Sequence, residues 1–260
     1  MQQKNSEFVK GAIFGKVKNI MTWGILLIIG LISVVMTSCN SVSPRGTRWH
    51  EKYDFVADIP PIVFHYDHGM LAGSYPEDQE TVAVRFDDVC AYLGHVCLCG
   101  AGGYRIVSLV VDSLHTSNEP LERGEFILVS SRDHTISDVI AYVLGIQRRQ
   151  DLNKSNYFID TTITAPRREY HYYIGFKETH TAVHVIYRKH QLIGHDAMDA
   201  LWKIELSYDA DPQSVSKEDI LKYQRAMKDL VSDVVLGRRD DVFDIVRVPY
   251  EQVVSPLLHD

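Results

Sequence analysis

Residues 93–111 read LGHVCLCGAGGYRIVSLVV, and two readings of this stretch lead to two different folds. Taken as a phosphate loop, the GAGG cluster at 100–103 would join a strand to a helix in a doubly wound α/β protein, with its amides turned toward an anion. The lysine and following Ser or Thr of a P-loop are missing, however, and no strand pattern precedes the glycines. Taken as the start of an apolar helix, the small residues serve close packing of that helix against a sheet, which the rest of the chain must supply. We adopt the second reading.

On its N-terminal side, IPPIVFHYDHG (59–69) is an extended start whose prolines disfavour helix. PEDQETVAVRFDDVCAYLG (76–94) follows a helix template, opened by acidic residues and stopped by Gly94, and it buries Cys90. On the C-terminal side, GYRIVSLVVDSLH (103–115) is an apolar helix and GEFILVSS (124–131) a buried strand. TISDVIAYVLG (135–145) is a further helix that ends at Gly145. Residues 157–188 then turn aromatic and β-branched: NYFIDTTITA, EYHYYIGFK and TAVHVIYRK are expected to be strands of an antiparallel sheet. SKEDILKYQRAMKDLVSDVVLG (216–237) is a helix capped by Ser216, and VFDIVRVPY (242–250) a last short strand. Helices first and strands later, with little βαβ alternation, predict an α+β fold of helices packed on an antiparallel sheet.

The chain opens differently. Lys4, Lys10, Lys16 and Lys18 precede an apolar run from Ile25 to Met36, and the run ends in MTSCNS (36–41). Basic region, apolar region and small residues form the layout of a secretory signal. MTSCNS resembles a bacterial lipoprotein box, with Cys39 as the lipidated residue. The alternative is an uncleaved membrane anchor, and translation starting at Met21 would give a more ordinary signal length. Either reading exports the remainder to the cell envelope and tethers it to the membrane. The expected organisation is a signal segment at 1–38, a polar tether at 39–60 and one domain at 61–255.

The 260 residues carry 27 Lys and Arg against 34 Asp and Glu, a net charge of −7. Cleavage before Cys39 would remove four lysines and one glutamate, a net +3, leaving −10. That balance argues against nucleic acid as a partner and against electrostatic membrane binding, so the lipid at Cys39 is the expected tether. Beyond Cys39, only Cys90, Cys97 and Cys99 remain. An odd number within ten positions is no disulfide framework, and it leaves a thiol for metal binding or chemistry.

Three segments together resemble the FmdE family, named after a component of formylmethanofuran dehydrogenase. GHVCLCGAGGYR supplies Gly94, His95, Cys97, Gly103, Tyr104 and Arg105 of one family motif. SRDHTISDVI (131–140) matches a second at Asp133, Asp138 and Ile140, and VVLGRRDDVFDIVRV (234–248) looks like the family's closing helix and strand. The resemblance implies a single FmdE-like domain with a transition metal near His95 and Cys97. The family's first histidine, its proline and its distal cysteine fall on Leu93, Leu98 and Thr135, so two of its metal donors are replaced here.

Cys99 and His134 stand beside the altered positions, which makes His95, Cys97, Cys99 and His134 the expected ligand set. Two soft thiolates with imidazole suit zinc first and iron as the alternative. Tyr104 and Arg105 are the residues expected to face a bound small molecule. The expected function is metal binding in an accessory or redox role, with a protein or small molecule as partner. A metal-dependent enzyme on a small molecule and an interaction lipoprotein with a decayed site are the alternatives. A dithiol–disulfide cycle at Cys97 and Cys99 ranks below these, because no thioredoxin-type Cys-x-x-Cys accompanies it.

Overall fold

A computed structural model describes residues 52–76, 78–115, 119–146 and 156–255. The chain divides into two units, Met1–Arg48 and Trp49–Asp260, and the described residues all belong to the second. The signal-like segment, Cys39 and residues 39–51 of the expected tether lie outside them. Among the described residues no helix is long and apolar enough to cross a membrane.

The folded part begins earlier than the expected boundary at residue 61. Asp54–Asp58 form a 3-10 turn, and Phe55, Val56 and Ile59 are buried in the main core. Strand β1 (Ile62–His65) pairs antiparallel with β2 (Thr81–Val84), and the short helix α1 (Asp67–Leu71) lies between them. The segment 76–94 therefore splits, where a single helix was expected. The β-branched alternation of Thr-Val-Ala-Val finds a strand partner in β1, and helix α2 (Phe86–Leu93) begins only after Arg85. Asp88 accepts from the Arg85 N–H at 2.8 Å and so caps that start. Gly94 ends α2 with φ 78°, a left-handed conformation that favours glycine.

Helix α3 (Leu98–Leu114) takes up the opening stretch. It is buried on most of its circumference, from Leu98 and Ala101 through Val107 and Val110 to Leu114. It packs on helix α4 (Ile136–Leu144), on helix α6 (Lys217–Val235) and on the sheet. The glycines make this approach possible. A Cβ on Gly102 would stand 2.7 Å from the Tyr187 ring, and one on Gly103 2.7 Å from Val139 Cγ1.

The five-stranded sheet runs β4-β3-β5-β6-β7, with β3 (Phe126–Ser130), β4 (Tyr157–Ile159), β5 (Glu169–Phe176), β6 (Thr181–Arg188) and β7 (Phe243–Val248). All its pairings are antiparallel except β3–β4, where α4 makes a crossover to the sheet edge. The fold is thus α+β, with helices packed on a mostly antiparallel sheet. Alternation places Tyr172, Ile174, Val183, Val185 and Tyr187 against the helical layer. Ile127, Val129 and Ala182 face the other side, where Val253 of the short helix α7 (Glu251–Val254) covers them.

Helix α5 (His195–Ala210) has no counterpart in the sequence reading. Only Met198 and Leu201 of it are buried, so its apolar periodicity is weak, and Trp202 and Leu206 remain exposed.

Candidate functional site

The link from α2 to α3 places the sulfur-bearing residues. Gly94 turns the chain, His95 and Val96 bridge the gap, and Cys97 is the extended N-cap residue of α3 (φ −147°, ψ 165°). Its sulfur accepts the Gly100 N–H at 3.4 Å, as a serine oxygen would at this position. Cys99 lies in the first helical turn, and its sulfur accepts from the Lys189 ammonium at 3.5 Å, just past the end of β6. The Cys99 thiol also hydrogen-bonds Cys97. That bond, helped by the Gly100 amide and the Lys189 charge, outweighs burial and brings the Cys97 thiol down to about 6. Cys99 is pushed up, first by donating to Cys97 and then by desolvation. Cys99 therefore holds its proton more tightly than Cys97 does.

His134 reaches the same cavity from the turn before α4, and its influence works weakly against the rise of the Cys99 thiol. Its position depends on Asp133. That carboxylate accepts from the Thr135 and Ser137 amides at 3.2 and 2.8 Å, the Ser137 hydroxyl at 2.9 Å and the Tyr172 hydroxyl at 2.7 Å. Thr135 itself has φ 126°, costly for a β-branched residue, and sits within this bonded turn. His95 Nδ1 lies 3.0 Å from the Leu93 carbonyl. A carbonyl can only accept, so Nδ1 is the donor in this contact.

His95, Cys97, Cys99 and His134 all line one cavity of about 430 Å3. Arg167, Arg168, Tyr170 and Lys189 continue its wall, and Met198, Trp202 and Leu206 of α5 with Met227 of α6 form an apolar side. Asp199 pairs with both Arg167 and Arg168. Burial works against the Lys189 ammonium, but Cys99, Tyr170 and Cys97 hold its pKa above the usual value.

The four expected donors thus share one cavity, although no three of their ligand atoms lie within 4.8 Å of one another. Their chemistry fits a soft or borderline ion: two sulfurs, one of them beside a cation, and two exposed imidazoles. Tyr104 and Arg105 are placed elsewhere. The Tyr104 hydroxyl bonds the Pro60 and Val84 carbonyls at 2.9 and 3.1 Å, Arg105 makes a two-pronged pair with Asp240 at 2.8 and 2.6 Å, and neither lines the cavity. His171 and His184, with ring nitrogens 3.0 Å apart, lie on the opposite face of the sheet, and neither they nor His180 line the cavity. Lys189 and the α5 wall were missed. A lysine in the run IYRKH carries no local signal, and its meeting with Cys99 follows only from the packing of β6 on α3.

Fold and site together define an α+β protein with a thiolate–imidazole cavity between its helices and the end of its sheet. Comparison with protein-family models, with characterised proteins and with solved structures finds no significant match. The likeness to the FmdE family rests on the three motifs quoted above.

Proposed function

We propose that the cavity holds a transition metal, zinc first and iron as the alternative, and that Cys97, Cys99 and His134 are its ligands, with His95 completing the set. The observation that carries this reading is the meeting of His95, Cys97, Cys99 and His134 on one cavity, with the Lys189 ammonium 3.5 Å from the Cys99 sulfur. Two sulfurs and imidazole are a zinc-type donor set, and Lys189 would donate an N–H to a coordinating Cys99 thiolate and offset its charge. In this reading the protein is an exported, lipid-anchored, FmdE-like metal-binding protein with an accessory or redox role.

The test is metal content of the full-length chain, purified in detergent under reducing conditions. The expected result is close to one zinc or iron per chain, lost in a Cys97→Ser/His134→Ala variant that keeps its circular dichroism. No bound metal, or metal that survives that double variant, overturns the reading.

A second reading, a metal-dependent enzyme on a small molecule, is favoured by the cavity itself. Its lining joins an apolar side at Met198 and Trp202 to charged side chains of both signs, Arg167, Arg168, Glu205 and Asp209, a layout suited to a small polar molecule with an apolar body. Trp202→Ala separates the two: it lowers turnover of such a substrate in an enzyme, and leaves metal content unchanged in both cases.

A further inference from the structure

The sequence HYDHG (65–69) places His65 at the end of β1 and Asp67 at the start of α1. Glu122 lies beside them through the main chain, independently of any side chain. The His65 N–H donates to the Leu121 carbonyl at 3.0 Å and the Arg123 N–H to the His65 carbonyl at 2.8 Å, so residues 65 and 122 stand abreast. The Asp67 N–H then donates to Glu122 Oε1 at 3.0 Å. One ligand atom from each of His65, Asp67 and Glu122 lies within 4.8 Å of the other two. None of the three lines the thiol cavity.

Two carboxylates this close repel, and the nearest arginine in the chain does not relieve them. Arg123 is turned away, with its guanidinium on the Val143 and Tyr142 carbonyls at 3.1 and 2.7 Å and 5.6 Å from the Tyr66 ring. Among the described residues no lysine or arginine forms an ion pair with Asp67 or Glu122. Burial first, and then the charges of Asp67 and Glu178, raise the Glu122 carboxyl, while the Asp67 N–H and His65 work the other way. The backbone thus holds together two oxygen donors and one nitrogen donor, with negative charge in excess.

We propose that His65, Asp67 and Glu122 bind a divalent cation of the manganese type. Two hard carboxylates and one imidazole match that ion, whereas a soft ion prefers the sulfurs of the other site. Three protein donors leave further coordination positions to water or to a ligand. The two sites are independent, so each can fail without the other.

The experiment titrates Mn2+ into the full-length chain carrying Cys97→Ser and Cys99→Ser, and follows loss of the free-ion paramagnetic resonance signal. The expected result is saturation at one ion per chain. Asp67→Asn and Glu122→Gln, which keep shape and remove charge, should each weaken binding by at least the about 10- to 100-fold typical of losing a supporting group. Asp67 is exposed, so its asparagine variant should keep the wild-type melting curve and report on the ion alone. Absence of saturable binding, or binding that neither substitution weakens, overturns the proposal. So does binding present in the wild-type chain and lost in the double-serine variant, which would assign the ion to the thiol cavity.

Discussion

The Lys189 ammonium lies 3.5 Å from the Cys99 sulfur although 90 residues separate them in the chain. This contact joins the end of β6 to the first turn of α3 and puts a positive charge beside the Cys97 and Cys99 sulfurs.

Cys97 is accordingly expected to react as a thiolate at mildly acidic pH. Its folded value of about 6 lies below the ordinary 9.0, so its contribution to stability is complete above 9.0 and is lost as pH falls through about 6. Cys99 is raised and works in the opposite sense, so alkylation rate reports more cleanly than stability. The pH midpoint for iodoacetamide modification of Cys97, followed by peptide mass spectrometry, should fall near 6. Cys99→Ala should move it up strongly, because it removes the main hydrogen-bond donor, and Lys189→Met should move it up by less. A wild-type midpoint near the ordinary 9.0 contradicts the arrangement.

Asp133→Ala should destabilise the fold by about 1–3 kcal/mol, since buried donors from Ser137 and Tyr172 lose their acceptor. Chemical denaturation measures this. The raised Asp133 carboxyl adds a pH signature: its contribution is complete below the ordinary 3.8 and is lost as pH rises through the folded value. Relative to Asp133→Asn, the wild-type chain should therefore lose stability as pH climbs above that point. A constant difference between the two across pH 3 to 7 rules this out.

Gly103→Ala should cost about 1–3 kcal/mol by overpacking. The new methyl would meet Val139 at 2.7 and 2.8 Å and the Ile136 carbonyl oxygen at 3.0 Å, and backbone cannot rotate aside. Pairing it with Val139→Ala should recover part of the loss, and a double variant no better than the sum of the singles would argue against this contact as the cause.

Arg105→Ala should lower stability by no more than about 1 kcal/mol, because its partner Asp240 is 41% exposed and water screens the pair. Metal content should be unchanged. A loss of metal in this variant would show that Arg105 acts on the cavity after all.

Much of the architecture was legible because it is written in local patterns. The aromatic and β-branched runs at 169–177 and 181–189 announce β5 and β6 by alternation, and Ser216 caps α6 where the sequence places it. The glycines of GAGG predict close packing, and the Tyr187 and Val139 side chains are what they pack on. The TVAV strand was hidden inside an acidic helix-like frame, since four residues have too few repeats to distinguish the two periods. Helix α5 was hidden because an exposed helix needs little apolar periodicity.

The grouping of His95, Cys97 and Cys99 was likewise readable: they are neighbours in sequence, and the turn from Gly94 into the first turn of the helix brings all three to one cavity. Chain folding alone decided their state. Which thiol holds its proton more tightly depends first on the bond between the two, then on the Gly100 amide at a helix start and on Lys189, which lies just past β6 and ninety residues away. Arg105 shows the converse, for a residue of the same motif was drawn to Asp240 by a loop no local pattern could place. Periodicity and donor chemistry are properties of short segments, whereas charge state and accessibility are set by whatever the fold brings within a few ångströms.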